Sequence, residues 1–248
     1  MQMKKFLIAS IVLMLALFTV PVFADDFQEG LDAANRGDFE RAFDIWEPLA
    51  KRGSALAQFN LGLMHDKGEG VKRNYKMAAK WYKLAARQGN ETAQFNLGYM
   101  YSRGIGVKRN YNEAVKWYQL SAGQGNVIAQ FNLGVFYIEG RGVRQSYSKA
   151  ASWFRLAAKR GDAEAQFRLG MMYEDGDGVE KDPEKAVRLY RFAADQGHTM
   201  AQGNLGWMYI NGNGVEEDLE EAAKWYRRSE QSSKTKYNRS GEPLSSLR

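Results

Sequence analysis

An all-α solenoid of helix-turn-helix repeats is predicted by three observations. Leu-Gly pairs recur at Leu61-Gly62, Leu97-Gly98, Leu133-Gly134, Leu169-Gly170 and Leu205-Gly206, a 36-residue period without insertion. A fixed period in this range marks stacked supersecondary units, each too small to bury its apolar face alone. Every copy holds two columns of helix-capping residues. Its second half then spaces small apolar and aromatic residues three and four apart, on one face of a helix.

The N-terminus stands apart. Lys4 and Lys5 precede an uncharged apolar run, Phe6–Val20, and Pro21-Val22-Phe23-Ala24 places small residues just before Asp25. This layout predicts a secretory signal peptide over residues 1–24, cleaved after Ala24, and hence a periplasmic or secreted protein. The run is shorter than the roughly 20 residues of a membrane-spanning helix, so no stable membrane anchor is expected after cleavage. The chain has no cysteine, which excludes disulfides, thiolate chemistry and a lipid-anchored cysteine. Stability must come from packing between repeats.

Residues 25–53 read as a degenerate N-terminal helical hairpin that keeps Asp38, Ala42 and Trp46 in register with the later copies. Five repeats follow, at 54–89, 90–125, 126–161, 162–197 and 198–233, and then a polar, basic tail, 234–248, expected to be disordered. Within each repeat the first helix begins after Ser54, Asn90, Asn126, Asp162 or His198, each preceded by the glycine that closes the previous helix. It runs to about Lys67, Arg103, Glu139, Asp175 and Asn211, where a G-x-G-V turn follows. The second helix starts after Asp38, Asn74, Asn110, Ser146, Asp182 or Asp218. Pro183 suits the first helical position, and Asn110 with Glu113 and Asp218 with Glu221 have capping-box spacing. The aromatic pairs Trp81-Tyr82, Trp117-Tyr118, Trp153-Phe154 and Trp225-Tyr226, with Leu189-Tyr190, are expected to be packing residues. In the last copy Leu-Ala-Ala becomes Arg228-Ser229-Glu230, a polar face that should stop the stack.

Net charge is +6, unevenly spread: the first three repeats, in the middle of the chain, carry +12 between an acidic N-terminal hairpin and two acidic final repeats. Such a band attracts acidic partners in a salt-dependent way. No nucleic-acid-binding motif accompanies it, and no nucleic acid partner is expected.

The columns A-x-A-Q-F-N-L-G-x-M-Y-x-x-G-x-G-V and K-A-x-x-W-Y-x-x-A-A-x-x-G, carried by residues 54–230, resemble the Sel-1-like repeat (SLR) family, relatives of the tetratricopeptide repeat. Gly203 in place of the Phe59 column and Leu189 in place of Trp are the departures. The resemblance implies a right-handed superhelix whose first helices line a concave face. It also implies a role in protein–protein assembly, in envelope signalling, motility, polysaccharide export or host contact. Some cysteine-rich relatives have been described as penicillin-binding or β-lactamase-like, and this chain lacks their cysteines.

On the first helices, positions 56, 60, 63 and 67 and their equivalents share a face that varies between copies as a core would not. Within it one column is nearly constant: Asn60, Asn96, Asn132, Arg168, Asn204. Asparagine is a poor mid-helix residue, so the column needs a reason. One is a side-chain hydrogen bond that ties adjacent repeats. The other is a ladder of amides along a groove over the second to fifth repeats, holding a segment of a partner protein. Arg168 interrupts the ladder, and Tyr99 and Trp207 lie on the same face. These residue types are the usual anchors of interfaces, so the candidate partner-binding set is Asn60, Asn96, Tyr99, Asn132, Arg168, Asn204 and Trp207.

No catalytic, cofactor or metal site is predicted. The only histidines, His65 and His198, fall in a packing and a capping column and lack a carboxylate at metal-ligand spacing. The G-x-G turns follow helices, not strands, which removes a dinucleotide reading. Asp175-Gly-Asp177-Gly178 lacks a twelve-residue calcium-loop pattern. Ser233-x-x-Lys236 matches a nucleophile spacing of penicillin-recognising enzymes but falls at the tail. The chain therefore reads as a non-enzymatic exported scaffold for a partner protein or peptide. An anionic envelope polymer held by the basic repeats is the alternative, and a β-lactamase-like hydrolase a remote one.

Overall fold

The computed structural model describes residues 26–236; the signal-peptide segment and nearly all of the tail lie outside them. Among the described residues there are twelve helices and no strand. Residues 26–35 form α1, followed by α2 (Phe39–Lys51), α3 (Ala55–Lys67), α4 (Tyr75–Arg87), α5 (Glu91–Arg103) and α6 (Tyr111–Gly123). Then come α7 (Val127–Glu139), α8 (Tyr147–Lys159), α9 (Ala163–Asp175), α10 (Pro183–Asp195), α11 (Thr199–Asn211) and α12 (Leu219–Lys236). The fold is thus the all-α repeat solenoid that the 36-residue period predicts. Contacts group the residues into two compact units, up to Ser121 and from Ala122 onward, with the boundary inside α6.

Local chemistry sets the helix ends. Ser54, Asn90, Asn126, Asp162 and His198 accept the amides of Ala57, Ala93, Ala129, Ala165 and Ala201 at the starts of the first helices. Each of these helices stops at a left-handed glycine, Gly68, Gly104, Gly140, Gly176 or Gly212, whose missing Cβ removes the steric cost of that conformation. The turn then closes on itself. The amides of Asn74, Asn110, Ser146, Asp182 and Asp218 donate back to the carbonyls of His65, Tyr101, Tyr137, Tyr173 and Tyr209. The same five residues cap the second helices with their side chains. The capping boxes form only in part: Glu113 instead accepts the Trp117 indole N–H, and Glu221 pairs with Lys224.

Each hairpin closes tightly because a glycine faces an aromatic ring. A Cβ on Gly62, Gly98, Gly134 or Gly170 would come within 2.5–2.8 Å of the ring of Tyr82, Tyr118, Phe154 or Tyr190. Gly30 faces Trp46 in the same way, which puts the N-terminal hairpin in register with the repeats. Consecutive hairpins lock through their turns: Gly70 and Gly106 rest on the first residues of α2 and α4, and Gly178 and Gly214 on those of α8 and α10. The resulting cores are shared between neighbours. Trp46, Leu49, Ala57, Leu61, Met64 and Trp81, from α2, α3 and α4, form one cluster. Tyr190, Ala201, Leu205, Met208 and Trp225, from α10, α11 and α12, belong to another.

At the C-terminal end one aromatic ring is partly uncovered. Tyr226 is 38% exposed where Tyr82 and Tyr190 are 0% exposed. The phenylalanine that covers the ring in the other copies is Gly203 here. Ser233 replaces the closing glycine, so nothing at that position terminates α12, which continues to Lys236.

Candidate functional site

One of the constant columns turns out to bind the repeats to one another. The buried side chains of Gln58, Gln94, Gln130, Gln166 and Gln202 donate to the last-turn carbonyls of Ala50, Ala86, Ala122, Ala158 and Ala194 at 3.0–3.2 Å. Gln88 and Gln196 then donate to the carbonyl oxygens of Gln58 and Gln166 at 2.8 Å. Where that later position is Arg160 or Ser232, the oxygens of Gln130 and Gln202 have no protein partner.

In the asparagine column, the amides of Asn96 and Asn204 lie against buried phenols of the preceding hairpin. Tyr82 donates to Asp66 at 3.3 Å, and Asn96 from the next first helix faces the same hydroxyl, partly opposing the rise in its pKa. Tyr190 donates to Glu174 at 2.5 Å, and Asn204 faces its hydroxyl in the same way. Burial, reinforced by the carboxylate beside each ring, pushes both phenols well above their ordinary range, so they stay protonated donors. The amides of Asn96 and Asn204 thus each face a buried phenol of the preceding hairpin. At Arg168 the preceding ring is Phe154, which has no hydroxyl, and the carboxylate position is Ile138.

Arg168 is accordingly free of the interior and exposed. Its Nε donates to Glu164 at 2.8 Å. The other Glu164 oxygen meets His198 Nε2 at 2.9 Å, while His198 Nδ1 accepts the Ala201 amide. Nδ1 must be unprotonated to accept, so Nε2 carries the proton toward Glu164. The ring also stacks on Phe167 at 4.6 Å. Burial raises the Glu164 pKa, but the bonds from His198 and Arg168 outweigh it and hold the carboxyl below its ordinary value. The sequence offered no carboxylate for His198; the structure supplies one 34 residues away, on the neighbouring first helix. No group of three or more metal-ligating side chains occurs among the described residues.

The rest of the varied face divides by position. Leu63, Val135 and Met171 are half-buried and pack against the cores, contrary to the expectation of a free face. In the unit up to Ser121, Leu56 and Tyr99 are exposed, with Arg103 over the Tyr99 ring at 5.8 Å. In the unit from Ala122, Ile128, Met200 and Trp207 are exposed. These five apolar side chains are 42–56% accessible. Asn60, Asn132 and Asn204 lie half-buried beside them.

The glutamine column was missed as a contributor, although its identity in all five copies, at a buried helical position between alanines, was available in the sequence. The His198–Glu164 pair could be found only by treating residues 34 apart as neighbours.

Residues 55–90, 92–126, 127–162, 163–198 and 199–232 each match the Sel1 repeat model. The chain belongs to the Sel1 repeat family. Members of this family generally mediate protein–protein interaction and are typically non-catalytic scaffolds. The chain is similar to c5321, a protective antigen of uropathogenic Escherichia coli that displays an SLR fold, at 35% identity and a TM-score of 0.81. That match covers 86% of this chain and 46% of the antigen, so the chain spans about half the antigen's length. A Sel1 repeat protein of Oxalobacter formigenes is similar at 36% identity and a TM-score of 0.74, covering 84% of this chain and 82% of that one. No curated protein matches the chain.

Proposed function

We propose that this protein is an exported, non-catalytic scaffold that binds a segment of a partner protein on the solvent-facing side of its first helices. One observation carries the reading: the first helices expose apolar side chains in two repeat columns, Leu56, Ile128 and Met200 in one and Tyr99 and Trp207 in the other. Exposed apolar side chains grouped on one face, rimmed by polar residues, are characteristic of interaction surfaces. Within each unit polar residues flank these side chains on the first helices: Asn60 in the unit up to Ser121, and Asn132 and the Arg168–Glu164–His198 cluster in the unit from Ala122. Tyr99, Arg168 and Trp207 are the proposed anchors, because aromatic and arginine side chains dominate binding energy at interfaces. Asn96 and Asn204 support the surface through Tyr82 and Tyr190. Export rests on the signal-peptide pattern of residues 1–24.

Photo-crosslinkers placed at Tyr99, Arg168 and Trp207 in the native host should capture one common partner, and crosslinkers at Lys159 and Arg227 should not. Replacing Tyr99, Arg168 and Trp207 together by alanine should abolish capture while the thermal midpoint shifts by less than about 3 °C. Equal capture from the control positions would overturn the assignment. Mass spectrometry of the mature protein should place its N-terminus at Asp25.

A further inference from the structure

A second surface, independent of the first-helix face, lies on α4. Lys76, Lys80, Lys83 and Arg87 follow one another at i, i+4, i+7 and i+11. At 100° per residue they fall within about 60° of one another around the helix. They form a row about 16 Å long, with charges about 5–6 Å apart. Lys76, Lys80 and Arg87 are exposed and Lys83 is half-exposed. None of the four has an ion pair among the described residues, and α4 contains no acidic residue. Lys72 and Arg73 extend the charge past the helix start.

The other hairpins act as internal controls. The equivalent positions are Asn112, Lys116, Gln119 and Gly123 on α6, and Ser148, Ser152, Arg155 and Lys159 on α8. On α10 they are Glu184, Arg188, Arg191 and Asp195. On α2 the sign reverses, to Glu40, Asp44 and Glu47, with Lys51 paired to Glu47 at 2.9 Å. The uniform row is therefore peculiar to α4 rather than a property of the repeat. Four adjacent like charges at helical spacing repel one another, so the row lowers the stability of the free protein.

We propose that α4 docks an acidic helix of a partner protein, with carboxylates at i, i+4, i+7 and i+11 lying along the cationic row. The spacing selects a helix. Same-face side chains of an extended strand repeat at about 6.8 Å and run out of register over four contacts. The single-row width argues against a broad anionic surface, which would meet Glu40 and Asp44 of α2 as well. Complementary charge of this kind sets encounter rate and register, so binding falls steeply with salt.

The test uses the full mature chain and two labelled alanine-based helical peptides of equal composition. One carries glutamates in the i, i+4, i+7, i+11 pattern, and the other has them spread around the helix. Fluorescence anisotropy should show the patterned peptide binding about tenfold more tightly than the scrambled one, with affinity lost on adding salt. Replacing Lys76, Lys80, Lys83 and Arg87 by glutamine should abolish this binding. Replacing Lys108, Arg144, Lys159 and Arg160 by glutamine, an equal loss of charge, should leave it intact. Circular dichroism melts check that both variants fold. Equal binding of the two peptides overturns the proposal, as does tighter binding of polygalacturonate or of phosphatidylglycerol vesicles to the row. A salt-sensitive dimer dissolved both by the α4 variant and by Glu40→Gln/Asp44→Gln/Glu47→Gln would assign the row to a second copy instead, and would also overturn it.

Discussion

The Tyr190 hydroxyl of α10 donates to Glu174 of α9, and Asn204 of α11 faces the same hydroxyl. Three consecutive helices thus meet at one buried phenol. Asp66, Tyr82 and Asn96 repeat the arrangement on α3, α4 and α5.

Tyr190→Phe removes the shared donor and leaves Asn204 and Glu174 each short of a partner. The expected loss is about 1–3 kcal/mol in urea unfolding. Combining it with Asn204→Ala should cost less than the sum of the single changes, since both act on one network. Strict additivity would show that the tie contributes nothing.

Gln166→Leu should destabilise more than Gln130→Leu. Both lose the bond to the preceding helix, but only Gln166 also accepts from Gln196, whose amide would be left without it. A difference of about 1 kcal/mol is expected from chemical denaturation of the two variants.

Gly170→Ala would drive a methyl group to 2.7 Å from the buried Tyr190 ring, whereas Gly206→Ala meets the exposed Tyr226 ring at 3.0 Å. Overpacking of the first kind costs about 1–3 kcal/mol. The second ring can move outward, so the thermal midpoint of Gly206→Ala should stay nearer that of the parent.

Burial holds the His65 pKa below 6.5, although a hydrogen bond to the Lys72 carbonyl partly opposes it. The unfolded chain therefore takes up a proton first as pH falls. The contribution of His65 to stability is intact above about pH 6.5 and is lost on acidification toward the folded-state value. Tyrosine occupies this column in the other four repeats. His65→Tyr should flatten the fall in thermal midpoint between about pH 7.5 and 5.5. An unchanged slope would remove His65 from the explanation.

Most of the fold was legible because its determinants are local. The caps at Ser54, Asn74 and their equivalents act on amides within three residues, and the left-handed glycines act on their own backbone. These effects recur in five copies, and the helix boundaries follow from them. The candidate site was legible only in outline. Arg168, Tyr99 and Trp207 could be seen to share a face, and they do lie exposed. Leu63, Val135 and Met171 share that face by spacing as well, yet they pack inward, because burial depends on where the neighbouring helix lies. The asparagine column left two readings open, and only the tertiary structure shows that Asn96 and Asn204 face buried phenols.

By itself, then, the amino-acid sequence determined the repeat, its two helices, their ends and the family, all of which rest on contacts within a few residues. The tertiary structure alone decided which constant residues bind repeat to repeat and which side chains reach solvent. Those outcomes depend on partners 14 to 34 residues distant, such as Asn96 with Tyr82 and His198 with Glu164. Such pairs form only when packed helices bring them within hydrogen-bonding range, and no local preference encodes that distance.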